Sequence, residues 1–161
     1  MSLKTPFGAS LIARPEPAPT FYVDESIFSN ALVAELTAAG IAFDRVGATV
    51  PFGAPDEVWL SHCGKHSYLA LTRDQRIRYR ALEKQALIDH GVACFTFTHG
   101  QATAAQCAAR IIALAPKMVA IAANQPRPFL YTFGLSAGLA KVTLRGSRNS
   151  KQATRSPHRK K

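Results

Sequence analysis

Cysteine is scarce in this chain of 161 residues and is not arranged in pairs. The three cysteines, Cys63, Cys94 and Cys107, form no CxxC motif, and an odd number does not build a disulfide framework. We therefore expect reduced thiols in a protein core. His62 and His66 are four residues apart, but no further cluster of Cys or His completes a zinc ligand set.

Long apolar runs are also missing. No stretch of about 18 consecutive apolar residues occurs. The N-terminus shows no basic stretch followed by an apolar run of signal-peptide length. These absences predict a soluble, cytoplasmic protein with no membrane partner. The apolar fraction of 47% is nevertheless sufficient for one buried core in a chain of this length.

Acidic residues are absent from the second part of the chain. All ten Asp and Glu lie within residues 1–89, whereas residues 90–161 contain eleven Lys and Arg and no acid. The formal net charge is +10. Clustered Lys and Arg displace counterions from a phosphate backbone, so this asymmetry favours a polyanionic partner. A solvated basic tail without a specific partner is the alternative interpretation.

Several common catalytic motifs are missing as well. The chain contains no Gly-rich phosphate loop of the P-loop or dinucleotide-binding type. The sequence around Ser136 does not form a nucleophile elbow. No internal repeat is visible. The chemistry of the chain must therefore be sought in other polar residues.

Short apolar runs alternate with segments of helical spacing along the chain. The predicted strands cover residues 21–23, 41–46, 68–72 and 92–98, with a final strand or pair at 129–144. Parallel neighbours need crossover connections, which are usually helices. The order of elements therefore predicts an α/β fold, an open sandwich with a mostly parallel central sheet.

A few residues indicate where the predicted helices begin and end. Ser26 is expected to cap the first helix and Gly40 to end it, while Pro55 takes the first position of the second. The helix at residues 101–123 is expected to kink at Pro116.

Three segments follow from composition. Residues 1–17 lack periodicity and are predicted to form a flexible N-terminal arm. Residues 18–144 form the predicted folded domain. Residues 145–161 are a basic, low-complexity stretch that predicts a disordered tail.

Acidic residues stand where predicted strands end. Asp24 directly follows the first strand, Asp74 follows the third, and Asp56 lies in the first turn of the second helix. Ligands of open α/β sheets collect at the carboxyl ends of strands, so we expect these acids to share one crevice. Clustered carboxylates repel one another unless protons or a hard cation compensate their charge. Mg²⁺ or Mn²⁺ would do so and could activate water at a phosphodiester.

The same acids also have structural interpretations. Asp56 and Glu57 are favourable in a first helical turn because of the helix dipole, whatever the function. Glu25 could equally be solvated beside Ser26. The case for a metal site therefore depends mainly on Asp24 and Asp74.

A family resemblance adds to this interpretation. The segments 22–25 (YVDE), 53–60 (GAPDEVWL) and 71–74 (LTRD) resemble, in order and spacing, the PIN-like nuclease domains found as toxins of bacterial toxin–antitoxin modules. The resemblance extends over residues 19–133. It implies a PIN-like three-layer α/β/α sandwich, an endoribonuclease activity that depends on Mg²⁺ or Mn²⁺, and inhibition by a cognate antitoxin protein.

The resemblance also assigns roles to acidic residues. By matched position, Asp24, Asp56 and Asp74 look like the catalytic, metal-binding acids. Glu25 and Glu57 are possible additional members of the site.

Basic and hydroxyl residues complete the site that the resemblance implies. Arg73, together with Arg76 or Arg78, would bind the phosphate of an RNA substrate. Thr72 and Thr98 could orient a metal-bound water.

The chain departs from the family pattern after the fourth strand. Residues 96–99 read TFTH, where many PIN domains carry a further acid, so the number of ions stays open at one or two. A homodimer is a possible assembly. Two alternatives also remain: a non-catalytic domain that binds nucleic acid or a partner, and a receiver-like phosphoacceptor module. For the receiver-like module, Lys141 lacks a clear position at a strand end.

Overall fold

Six strands form one sheet in the computed structural model, which describes residues 19–144. The strands are β1 (Phe21–Val23), β2 (Phe43–Arg45), β3 (Leu69–Thr72), β4 (Ala93–Phe97), β5 (Phe129–Phe133) and β6 (Ala140–Val142). Their order across the sheet is β2-β1-β3-β4-β5-β6. The first five are parallel and β6 is antiparallel to β5, which confirms the mostly parallel sheet.

Helices cover both faces of this sheet. They are α1 (Asn30–Ala38), α2 (Asp56–His66), α3 (Arg76–Tyr79), α4 (Ala81–Asp89) and α5 (Ala104–Asn124). Buried residues of α1 and α5 join one core, and those of α2, α3 and α4 join the other. The α/β/α sandwich is therefore confirmed.

The central strands are apolar along their whole length because helices cover both faces. Successive side chains point to opposite faces of the sheet. Leu69 and Leu71 of β3 therefore pack in the α1/α5 core, whereas Ala70 packs in the α2/α4 core. All four residues of β3 and all five of β4 are buried.

The first helix begins later than predicted. Ser29, not Ser26, is the N-cap of α1, and its Oγ accepts a hydrogen bond from the amide of Leu32 at 3.0 Å. Residues 24–28 form a separate turn, in which the amides of Ile27 and Phe28 donate to the carbonyl of Asp24. Because Ser26 lies in this turn and does not cap the helix, its side chain is available for other contacts.

Other predicted boundaries shift by small amounts. Gly40 follows the end of α1 with a φ of +77°, a conformation that glycine adopts without strain. The second strand is shorter than predicted because β2 is an edge strand that pairs only with the three residues of β1. Pro55 is the N-cap of α2 and not its first residue.

The segment between β3 and β4 holds two helices. Arg80 lies between α3 and α4 with φ −84° and ψ 131°, an extended conformation that interrupts the helical path. Arg76 and Lys84 therefore lie on two separate helices.

The long helix α5 starts at a capping box. Thr103 accepts from the amide of Gln106 at 3.1 Å, and the Gln106 side chain accepts from the amide of Thr103 at 2.9 Å. The helix continues through Pro116. Its 21 residues have the length and apolar composition of a membrane span. This is weak evidence, because the buried face from Cys107 to Met118 is also what a core helix presents.

The thiols and the paired histidines have structural surroundings. Cys63, Cys94 and Cys107 are free and buried, as predicted. The His62 Nε2 atom lies 2.8 Å from an Asp44 oxygen, which ties α2 to the edge strand β2. The predicted N-terminal arm, 1–17, and basic tail, 145–161, lie outside the described residues.

Candidate active site

A cleft of about 220 Å³ opens where β1 and β3 end. These strands are adjacent and parallel, so their carboxyl ends meet at one edge of the sheet. Asp24, Glu25, Asp56 and Asp74 all contribute to the lining of the cleft, together with Arg76. The structure thus places the three predicted acids around one cavity.

Asp24 is held in place by neighbouring donors. Its side chain is buried, and Oδ2 accepts hydrogen bonds from the Ser26 amide at 3.2 Å, the Ser26 hydroxyl at 2.7 Å and the Thr72 hydroxyl at 2.9 Å. Burial raises the pKa of Asp24, whereas these hydrogen bonds lower it, and burial is the larger effect. The carboxylate is therefore oriented but costly to ionise.

Asp74 has the opposite environment. Arg76 Nε donates to Oδ1 at 2.8 Å and to Oδ2 at 3.1 Å, and the Asp74 amide donates to the Thr72 hydroxyl at 3.0 Å. The hydrogen bonds and charge of Arg76 hold the pKa of Asp74 below its usual value. Asp74 is therefore ionised and already neutralised by a cation of the same chain.

Asp56 is linked to the wall of the cleft. It begins α2, where its Oδ1 accepts a hydrogen bond from Trp59 Nε1 at 3.1 Å. Trp59 is the only tryptophan of the chain and stacks on Tyr22 with ring centroids 6.1 Å apart. Tyr22 also lines the cleft, and its buried hydroxyl has no hydrogen-bond partner.

The donor set suits a hard divalent cation in its chemistry. Carboxylate oxygens are the ligands that Mg²⁺ and Mn²⁺ prefer. Across residues 19–144, however, no three Asp, Glu, His or Cys side chains lie close enough together to form a metal-ligand cluster. Asp24, Asp56 and Asp74 face one cavity without converging, so joint coordination requires their side chains to move.

The remaining predicted acids and threonines have different positions. Glu25 lines the cleft, and its Oε1 accepts a hydrogen bond from the Gly53 amide at 2.7 Å. Thr72 is fully buried behind Asp24. Glu57 points away to His90, with 71% of its side chain exposed. Thr98 donates to a carbonyl of β5 at 3.2 Å and does not line the cleft.

Two of the three predicted phosphate-binding arginines lie outside the cleft lining. Arg73 donates to the carbonyls of residues 99–100 at 2.9 and 3.0 Å, which holds the loop after β4. Arg78 lies over the ring of Tyr79 at 5.0 Å. Arg76 alone among the three lines the cleft, and a substrate role for Arg73 and Arg78 stays a prediction.

Sequence reasoning missed three residues of the site. Ser26 is predicted as a helix cap, although an Asp-x-Ser sequence after a strand is also typical of a side-chain-stabilised turn. Trp59 lies three residues after Asp56, a spacing that brings side chains together on a helix. No sequence signal distinguishes Tyr22 from an ordinary core residue of β1.

A larger cavity lies elsewhere in the fold. It measures about 1020 Å³ and lies between α5 and the segment from Ala39 to Ala42, with Arg127 as its charged lining residue. No acidic residue lines it. Despite its smaller volume, the acidic cleft is therefore the better candidate for chemistry on a phosphodiester.

Comparisons with known proteins agree with this geometry. The family model described as "PIN like domain" matches residues 19–99, a range that contains every acid of the cleft. The chain is 29% identical over 115 residues to the Mycobacterium tuberculosis protein named "Putative ribonuclease VapC45", a match covering 69% of this chain and 83% of that protein. No solved structure matches the chain significantly.

Proposed function

The chain belongs to the PIN-like domain family, and on this premise we propose that it is an endoribonuclease that hydrolyses RNA phosphodiesters as the toxin of a toxin–antitoxin pair. One observation carries the proposal: Asp24, Asp56 and Asp74 line the same cleft at the carboxyl ends of adjacent parallel strands. The name of the Mycobacterium tuberculosis relative, which describes a ribonuclease, points in the same direction.

We further propose that Asp24, Asp56 and Asp74 bind Mg²⁺ or Mn²⁺. Such an ion would lower the pKa of bound water and would stabilise the charge that develops on a phosphodiester. The raised pKa of Asp24 supports this assignment, because a nearby cation would offset the cost of ionising a buried carboxyl group.

The residues around the acids hold the acidic side chains in fixed orientations. Ser26 and Thr72 hold Asp24 in one orientation through three hydrogen bonds, so little reorganisation is needed when a ligand enters. Trp59 holds Asp56 against the wall of the cleft. Arg76 stands at the edge of the cavity, where a guanidinium can meet a phosphate group.

The proposed partners follow from the site together with the family to which the chain belongs. RNA is the substrate, a cognate antitoxin is the protein partner, and the cytoplasm is the compartment in which both would be found. Phosphate contacts position a nucleic acid without specifying its sequence, so an arginine at this cleft implies affinity more than base preference.

The decisive test is cleavage of single-stranded RNA with Mn²⁺ and with a chelator. Asp24→Asn and Asp74→Asn should each slow cleavage by at least about a hundredfold, since each removes a charged group of the site. The matched control is Asp89→Asn, an exposed acid at the end of α4 that does not line the cleft. Equal cleavage by all three variants would show that the assigned site is wrong.

A non-catalytic binding domain is the second candidate. The observation in its favour is that Arg76 already neutralises Asp74 and that the acids do not converge. It expects RNA binding that is unaffected by chelator and no cleavage with either ion. The same assay, run with a binding measurement, separates it from the nuclease.

The receiver-like interpretation is not supported by the family match. The sheet order of the first five strands, β2-β1-β3-β4-β5, is shared by flavodoxin-like folds and so does not discriminate. Membership of the PIN-like family does discriminate between a nuclease and a receiver-like module. Lys141 lies on the antiparallel strand β6, paired with Tyr131, and does not line the acidic cleft.

A further inference from the structure

We propose that Arg76 is the internal counter-ion of the acidic cleft, which occupies the cation's place on Asp74 and must leave it before a divalent ion can bind. This inference rests on the proposed function, because it assumes that the cleft binds such an ion. It makes Arg76 a positioning residue that sets the ion affinity of the site.

The first support is the geometry of the pair. A guanidinium nitrogen of Arg76 contacts both oxygens of Asp74, at 2.8 and 3.1 Å, and a second nitrogen donates to Oδ2. A guanidinium bound to both oxygens in this way covers the side of the carboxylate that a metal ion would approach. The two cations therefore compete for the same oxygens.

The second support is the charge around Arg76. Asp56 acts on Arg76 electrostatically in addition to the direct partner Asp74. One arginine thus compensates part of the repulsion between acids that line the same cavity.

The third support is a buried polar group in the wall of the cleft that has no partner within the protein. The Tyr22 side chain is fully buried and lines the cleft, yet its hydroxyl has no hydrogen-bond partner. Buried polar groups are nearly always paired in folded proteins. The Tyr22 hydroxyl is therefore available to a ligand that enters the cleft.

Arg76 is also accessible to solvent. Its side chain is 53% exposed, whereas that of Asp74 is 13% exposed, so the guanidinium can return to solvent at little cost. It belongs to α3, a helix of four residues. After release, the guanidinium would remain at the edge of the cleft, where it could contact an RNA phosphate.

Trp59 provides a direct reporter for the test. It is the single tryptophan of the chain, lines the cleft and donates to Asp56. Its fluorescence in the full-length chain should change as Mn²⁺ is added, and calorimetry gives an independent affinity. Neither measurement depends on RNA cleavage.

The variant to compare with the wild type is Arg76→Gln, which removes the competing charge and its paired hydrogen bonds. It should bind Mn²⁺ about tenfold more tightly. The matched control is Lys117→Gln, which removes the same charge from an exposed residue of α5 that does not line the cleft. Its affinity should stay within about twofold of the wild type because exposed charges are screened.

The outcomes separate this inference from the proposed function. Equal Mn²⁺ affinity in the wild type and in Arg76→Gln overturns the role of Arg76 and leaves a metal-dependent nuclease intact. Absence of Mn²⁺ binding in every variant overturns both. If Arg76→Gln does not fold, Arg76→Lys serves instead. Because lysine cannot form the paired contact, we expect Arg76→Lys to bind Mn²⁺ more tightly than the wild type, by up to about tenfold.

Discussion

Asp24 shows, at the scale of one residue, a conflict between folding and function. It is the one charged side chain among the buried residues of the described part of the chain. Removing a carboxylate from water destabilises its ionised form, and three hydrogen bonds to Oδ2 offset only part of that cost. A residue kept in such a position is better explained by chemistry than by stability.

This conflict predicts that Asp24→Asn stabilises the fold in the absence of divalent ions. The folded-state pKa of Asp24 lies above its unfolded value, so its contribution to stability is greatest at low pH and is lost as the pH rises through the folded pKa. At pH 7 the neutral amide avoids this loss. We expect a gain of about 1 kcal/mol, or roughly 3–6 °C in thermal unfolding.

The pH dependence provides the check. The advantage of Asp24→Asn should shrink as the pH is lowered through the raised pKa of Asp24, because the wild-type carboxyl group is then also neutral. Asp89→Asn, at the exposed end of α4, should show no such trend. A variant that is less stable than the wild type at pH 7 would contradict the assignment of burial as the dominant effect.

At the scale of elements, the contact between α2 and the end of α4 depends on a glycine. A Cβ atom added at Gly64 would lie 2.2 Å from the carbonyl oxygen of His90, which is backbone and cannot rotate away. The two helices therefore approach each other more closely than a residue with a Cβ atom at position 64 would allow. This contact holds α2, which carries Asp56 and Trp59, against the end of α4.

Gly64→Ala should therefore destabilise the fold although alanine is the better helix former. Helix propensity favours alanine by about 1 kcal/mol, whereas the backbone clash should cost about 3 kcal/mol. The measurement is the free energy of unfolding in urea. Gly100→Ala is the matched control, since a Cβ there meets nothing within 4 Å and should change stability by less than about 0.5 kcal/mol.

At the scale of the whole molecule, charge is divided along the chain. The acids that line the cleft precede residue 89, and the segment 145–161 contains seven Lys and Arg with no acid. A polyanion would be repelled by a bare acidic cleft and attracted by the basic segment. The two parts are therefore complementary if RNA is the substrate.

Deleting residues 145–161 should weaken RNA binding and reduce its dependence on salt. Log affinity falls as log salt rises. Removing the tail should make this slope less steep by about 0.7 for every phosphate group of a single strand that the tail neutralises. The measurement is binding of one RNA at several salt concentrations, with cleavage rates at saturating RNA unchanged. A tail of equal length with glutamine in place of Lys and Arg should behave like the deletion, and an unaltered slope would exclude a role for the tail.

Local patterns were sufficient for much of this fold. Apolar runs placed β1, β3 and β4 within one or two residues, because a strand buried on both faces leaves a continuous apolar signal. The same runs placed Asp24 and Asp74 at strand ends. Since parallel strands share one carboxyl edge, their common cleft followed from the order of elements alone.

Contacts between distant segments decided the rest. Ser26 and Thr72 meet at Asp24 although they are 46 residues apart, and the turn that brings them together displaced the predicted helix cap to Ser29. The pairing of Asp74 with Arg76 is local, since the two residues are two positions apart in a turn where the Arg76 amide also donates to Asp74 Oδ1 at 3.0 Å. Periodicity records which side of an element is apolar, whereas hydrogen-bond partners and the balance of burial against charge exist only when the chain is folded.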